Sequence, residues 1–196
     1  MIDRLPKFIL NTILFFINLT LSIFKKIPFL ILLFPIILVL YIISFNSNLS
    51  YNEDIIINSN IDNVMKLHED PSLIKNYMNG FISYNIIKGK SRETGSVAEI
   101  TVIFNPKKPI SRKIVMVEEI VISDLPNQKI ITYNTGSVKN TITYRFLKLG
   151  ENKTQFSRIH EYEFNTYNKV SSFFMSKKIK RNSYSYLNDF KIFAEN

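Results

Sequence analysis

The chain contains no cysteine and no tryptophan. The first absence rules out disulfides, thiolate catalysis and zinc–thiolate sites, and leaves the compartment open. Histidine occurs twice, at His68 and His160. Two histidines so far apart offer no metal-ligand spacing, so neither a metal nor a cofactor is expected. Glycine-rich phosphate loops and nucleophile elbows are also missing. Of only five glycines, Gly80, Gly89 and Gly95 fall in one stretch, "NGFISYNIIKGKSRETGSVAEITVIF". Their spacing does not suit a nucleotide-binding loop. It suits strand ends and turns, where glycine reaches positive φ without a steric penalty.

Acidic residues are nearly absent from the first forty-five positions, where Asp3 is alone beside Arg4, Lys7, Lys25 and Lys26. A mean hydropathy of +0.04 therefore averages two unlike regions. "IPFLILLFPIILVLYIISF", residues 27–45, carries no charge. As a helix it would be about 28 Å long, close to the hydrocarbon thickness of a bilayer. We expect it to be a transmembrane helix. Segment 8–24 places Asn11, Asn18 and Ser22 on one helical face and apolar residues elsewhere. This pattern predicts either an interfacial helix or a second span. A bilayer partner is thus expected through 27–45, with 8–24 as a second candidate. If Lys25 and Lys26 stay in the cytoplasm, the following domain faces the non-cytoplasmic side. Rich use of Ile, Asn and Lys fits a bacterial chain and its inner membrane.

From residue 46 onward the composition is that of a globular domain, with a surplus of about six positive charges. The bases are scattered apart from "KK" at 107–108 and "KKIKR" at 177–181, which argues for a solvated, lipid-attracted face and against nucleic acid. After a linker at 46–53, periodicity predicts a strand at 54–58 and two short helices over 60–77 interrupted at Pro71. Strands follow near 81–88, 96–104, 112–122, 128–135, 138–148 and 154–164, with turns such as "NPKKP", "DLPNQ" and "LGENK". A long amphipathic helix, about 169–194, closes the chain, with Ile179, Ser183, Tyr186, Leu187, Phe190 and Ala194 on one stripe. The predicted class is α+β: an antiparallel sheet of about seven strands curled around the C-terminal helix, leaving a pocket between them. Alternation alone does not say which face of 113–121 is inside, since both are apolar.

This order resembles the START-like, or SRPBCC, superfamily of helix-grip proteins, and in particular its polyketide cyclase/dehydrase and lipid transport branch. "IIINSNIDNVMKLHED" is similar to that family's opening strand and helix. "EEIVISDLPNQKIITYNTG" is similar to its strand-borne Glu, Leu-Pro and Tyr strand, with Glu118, Leu125, Pro126 and Tyr133 in those places. "YLNDFKIFAEN" resembles the closing motif. The family's Trp near the hairpin entrance has no counterpart here, and Tyr77 takes its place. The resemblance covers 54–196 and implies a cavity for a hydrophobic or amphiphilic, lipid-like molecule.

Candidate cavity residues are Tyr77, Phe81, Glu118, Tyr133, Tyr144, His160 and Phe190. Glu118 interrupts an apolar alternation, so it is either a buried carboxylate at the ligand or the partner of Arg145 or Arg158. His160 is read first as an exposed sheet residue and second as a general base; His68 is read as a surface or capping residue. Three functions follow from these residues: ligand binding without catalysis, a cyclase-type enzyme using Glu118, Tyr133 or His160, and an interaction module with a collapsed pocket.

Overall fold

The computed structural model describes residues 7–45, 48–104 and 111–196; the side chains of much of the first helix, and of a few positions at element ends, lie outside that description. The chain divides into two compact units, Met1–Phe45 and Asn46–Asn196.

The first unit is one helix, α1 (Lys7–Phe45), where sequence predicted two segments. Nothing between Ser22 and Ile27 breaks a helix, because Lys25 and Lys26 are good helix formers. Its described apolar side chains are largely exposed, among them Phe15 at 64%, Ile31 at 67% and Phe34 at 66%. Among the described residues no helix is long and apolar enough to cross a membrane. The expected span 27–45 includes eight positions whose side chains lie outside that description (27–30, 32, 42, 43 and 45).

The second unit opens with β1 (Asn48–Ile57), followed by α2 (Ile61–Glu69), a 3-10 turn (Pro71–Leu73) and α3 (Ile74–Tyr77). Strand β1 begins before the expected residue 54 and absorbs most of the predicted linker, because ten successive residues pair with the strand beside it. Asn60 caps α2 by accepting from the Asn63 amide, and Asp70 caps the 3-10 turn by accepting from Ser72. Pro71 stands at the start of that turn, where its missing N–H costs nothing. Six strands follow: β2 (Phe81–Lys88), β3 (Val97–Phe104), β4 (Arg112–Asp124), β5 (Gln128–Asn134), β6 (Val138–Gly150) and β7 (Lys153–Phe164). The chain then enters α4 (Thr166–Glu195). These bounds lie close to those read from periodicity. The predicted "NPKKP" turn and the bases at 107–108 lie outside the described residues.

All seven strands form one antiparallel sheet in the order β1-β7-β6-β5-β4-β3-β2. The first strand thereby sits against the last, and only that pairing departs from a simple meander. Tertiary packing settles the face of β4 that the pattern left open: Glu118 and Ile120 are buried, while Val115, Val117 and Val121 are about 40–45% exposed. The inner faces meet α4 in a core of Ile55, Ile57, Ile131, Ile142, Phe146, Phe156, Leu187, Phe190 and Ala194. The last three lie on the stripe predicted for that helix. Helix α4 rests chiefly on β1, with Lys180 over the Tyr51 ring, Ser183 against Glu53, and Glu195 accepting from the Asn58 amide.

Gly80 opens β2 at φ +86°, and a Cβ there would stand 2.3 Å from the Ile103 carbonyl oxygen. Gly136 has a similar φ of +83° with open space around it. Comparing the two separates steric contact from backbone conformation. Gly136→Ala should cost about 1 kcal/mol, the left-handed penalty alone, whereas Gly80→Ala should cost at least about 3 kcal/mol because β2 must also move off β3. Chemical denaturation of the two variants followed by circular dichroism measures the difference; equal losses would mean that the contact at Ile103 is not limiting.

Candidate functional site

Between the sheet and α4 lies a cavity of about 90 Å³. Ile74, Ile100, Met116, Phe156, Leu187 and Phe190 form its apolar wall, and His68, Arg92, Glu118, Tyr133, Tyr144 and Arg158 bring polar atoms to it. The volume holds roughly half a dozen water molecules. Tyr77 also borders a second, open hollow of about 370 Å³ between α3 and the end of α4. Its ring therefore stands between the interior and the outside. It packs edge-on against Phe190 at 5.0 Å. Of the seven candidates named from sequence, Tyr77, Glu118, Tyr133, Tyr144 and Phe190 border the cavity, and Phe81 and His160 do not.

Glu118 projects from the inner face of β4 and is 1% exposed. Its partner is neither Arg145 nor Arg158. Arg92, in the turn between β2 and β3, folds inward and donates from Nη1 to Glu118 Oε2 at 3.2 Å. The Tyr84 hydroxyl donates to Oε1 at 2.8 Å. Both carboxylate oxygens are thus engaged. Burial and the adjoining Glu118 carboxylate push the Tyr84 hydroxyl up to about 12. The Tyr133 hydroxyl is also raised well above its ordinary value, by burial and by Glu118, and lies 3.5 Å from that of Tyr144. Both phenols remain protonated donors at neutral pH.

Arg92 has φ +65°, a conformation unfavourable to a side chain. Its backbone carbonyl accepts from Lys129 Nζ at 3.1 Å. Lys129 is 0% exposed, and its ammonium pairs with Glu69 at the end of α2. Glu69 also accepts from His68 Nδ1 at 3.0 Å. His68 is buried, not a surface cap, with its ring 5.0–5.8 Å from those of Tyr144, Phe146, Phe156 and Phe190. Burial in this aromatic cage lowers its pKa and holds it neutral. Burial of Glu69 opposes ionisation, but the His68 hydrogen bond and the Lys129 ammonium outweigh it and hold the carboxyl down at about 2. With His68 neutral, Lys129 is the cation that matters to Glu69. Two cations and two anions therefore link the β2–β3 turn, β4, β5 and α2.

A second polar cluster lies under the middle of α4. His160 was expected on an exposed face; it is 2% exposed, because β7 turns that face toward the helix. Its ring stacks on Tyr51 at 4.7 Å. Glu53 Oε2 receives Arg158 Nη2 at 2.5 Å and the Ser183 hydroxyl at 2.9 Å, and stands 3.2 Å from His160 Nε2. Asn140 Nδ2 faces His160 Nδ1 at 3.4 Å. Burial lowers the His160 pKa, so the ring is neutral; the contacts at both nitrogens place its proton on Nε2. Such a nitrogen cannot take a proton from Ser183, whose own hydrogen goes to Glu53. The Ser-His-Glu grouping is therefore a structural brace for α4, not an activated nucleophile.

Sequence reasoning missed Lys129, Glu53 and Arg92. Lys129 alternates with Ile131 and Tyr133, and Glu53 with Tyr51 and Ile55, so the period-two signal was available at both. Arg92 sits in an aperiodic turn and gives no such signal.

Arg92 and Arg158 both line the cavity, and Nε of each is buried with no hydrogen-bond partner among the described residues. Comparison with solved structures then settles the architecture. The domain has a helix-grip fold. It is similar to the Zhui aromatase/cyclase from Streptomyces sp. R1128, with TM-score 0.57, 11% identity and coverage of 76% of this chain and 94% of that one. It is similar to norcoclaurine synthase from Thalictrum flavum in complex with dopamine and hydroxybenzaldehyde, with TM-score 0.53, 12% identity and coverage of 74% and 86%. A structure from Thermus thermophilus matches with TM-score 0.57, 15% identity and coverage of 74% and 97%. No protein-family model and no curated protein sequence matches the chain. At these identities the likeness is one of fold alone.

The ionisation of Glu69 has a testable consequence. Its folded pKa lies below the ordinary value of 4.5, so its stabilisation is complete above about pH 5 and is lost as pH falls toward 2. The melting temperature of the wild type should therefore drop more steeply from pH 5 to pH 2 than that of Glu69→Gln. Parallel curves would remove Glu69 as the acid-sensitive group.

Proposed function

We propose that the domain binds a compact amphiphilic molecule in the cavity between sheet and α4, and that residues 27–45 hold it at a bilayer. The observation that carries the first part is that Arg92 and Arg158 line an otherwise largely apolar cavity and that Nε of each is buried with no hydrogen-bond partner among the described residues. A buried donor without an acceptor costs about 1–3 kcal/mol. A ligand oxygen placed there removes that cost, while a ring or short chain fills the side of Ile100 and Met116. The volume of about 90 Å³ favours a molecule of about one ring over an acyl chain. The norcoclaurine synthase structure, with its single-ring dopamine and hydroxybenzaldehyde, supports that size class for this fold.

Binding fits the site better than catalysis. Glu118 has both oxygens occupied, Tyr84 and Tyr133 stay protonated, and His160 belongs to the other cluster. The cavity therefore offers donors that orient a ligand; the candidate base among its described lining is His68, neutral and with its Nδ1 proton given to Glu69. Tyr77, shared with the outer hollow, is the natural point of entry. For the bilayer, support comes from the charge-free run 27–45 and from exposed apolar side chains along α1, a surface that water disfavours. Lys25 and Lys26 favour a non-cytoplasmic domain, in the inner membrane of a bacterium.

Native mass spectrometry of the full chain should show a bound small molecule that is lost in the cavity-filling variant Met116→Phe. Preparations free of any adduct, together with no thermal stabilisation by a panel of single-ring phenols and carboxylates, would overturn the binding reading. Alkaline carbonate extraction should leave the full chain in the membrane pellet, and its release into the supernatant would overturn the anchor.

A further inference from the structure

Up to Asn188, the solvent face of α4 combines exposed aromatic side chains with bases and carries no acid. From Thr166 to Asn188 the helix has Lys169, Lys177, Lys178, Lys180 and Arg181 and not one carboxylate. Phe173, Phe174 and Tyr184 are 45%, 67% and 49% exposed, and Lys177, Lys180 and Arg181 are exposed beside them. At 100° per residue these six side chains fall within roughly 120° of the helix circumference. Beyond Lys180 around the helix, Ser183, Leu187 and Phe190 face the sheet.

The stripe also has a defined place on the domain. Helix α4 runs alongside β1 in the same direction, with Lys180 at Tyr51, Ser183 at Glu53 and Lys191 at the Ile56 carbonyl. Two turns before Lys180, the pair Phe173-Phe174 lies about level with the start of β1 at Asn48. In the chain that start follows shortly after α1, which ends at Phe45. The aromatic end of the stripe is therefore the end of the domain that is tied covalently to the apolar helix.

We infer that this stripe docks the domain on an anionic lipid surface, with Phe173 and Phe174 entering the headgroup–acyl boundary and Lys177, Lys180 and Arg181 meeting lipid phosphates. Phenylalanine with a basic face suits an interface, where the ring leaves water and the cation stays among headgroups. The absence of acids along this length fits a negative lipid surface, since no carboxylate stands between Thr166 and Asn188 to repel it. The inference rests on the exposure and charge of α4 and does not need the ligand or the span.

The lack of tryptophan makes a clean test possible. The full chain with Phe174→Trp, reconstituted in phosphatidylcholine vesicles with and without phosphatidylglycerol, carries one reporter on the stripe. Its emission should shift to the blue and be quenched by brominated lipid in the anionic vesicles, and both effects should weaken in phosphatidylcholine alone or at high salt. Lys177→Gln combined with Arg181→Gln should lower the docked-to-undocked ratio roughly 25-fold, at about fivefold per base. Ile86→Trp, on an exposed site of β2, should report no change. The inference is overturned by emission that is the same in both vesicle types. It is equally overturned by an equal shift at Ile86→Trp, or by a shift that follows protein density instead of lipid charge, which would indicate a second copy of the chain.

Discussion

A guanidinium in an apolar interior needs an anion beside it, and the pairing of Arg92 with Glu118 is the constraint around which this domain is arranged. The pair is not chiefly a source of stability, because desolvating two charges consumes most of what their attraction returns. What it does is exclude alternatives. Any packing that moves the β2–β3 turn away from β4 leaves Glu118 or Arg92 buried and alone. The left-handed backbone at Arg92 is the local cost of that placement. In return the turn brings its own carbonyl to Lys129, and through Lys129 it reaches Glu69 and the end of α2.

The same network explains why there is a cavity where a continuous apolar core would otherwise form. Buried charges must keep their geometry, so the side chains around them cannot slide inward to fill space as leucines would. Tyr133 and Tyr144 hold their hydroxyls toward this polar side, and the aromatic cage around His68 closes the other. The second cluster, centred on Glu53, acts in parallel by fixing the middle of α4 to β1 and β7 through Arg158 and Ser183. Helix and sheet are thus joined by polar contacts at mid-length and by Leu187, Phe190 and Ala194 toward the C-terminal end. Before that point α4 leaves Phe173, Phe174, Lys177, Lys180 and Arg181 exposed.

Much of the fold was legible in sequence because it follows from local patterns. Period-two alternation located six strands closely, and Pro71 with its capping Asp70 divided the helices after β1. The buried stripe of α4 could be read from its spacing. Where the reading departed, the reasons are specific. Polar residues in "NSNLSYNE" look like a linker, yet β1 begins at Asn48 because β7 supplies backbone partners that local composition does not announce. His68 and His160 are polar by type and buried by placement, each neutral and satisfied by a neighbour far away or at a helix end. Glu118 was singled out from its apolar alternation, but its partner comes from a turn that has no period.

Sequence by itself determined the strand and helix periods, the amphipathic C-terminal helix, the charge-free run at 27–45 and the unusual carboxylate on β4. These depend on residues adjacent along the chain, where spacing maps directly onto a face. Only the tertiary structure decided which face of β4 turns inward, that Arg92 answers Glu118, that Lys129 is wholly buried, and that the space between sheet and helix is small and lined by two arginines whose Nε atoms are buried without a partner among the described residues. Those outcomes depend on which distant segments meet, and charge pairing in a low-dielectric interior is set by that meeting and not by spacing along the chain.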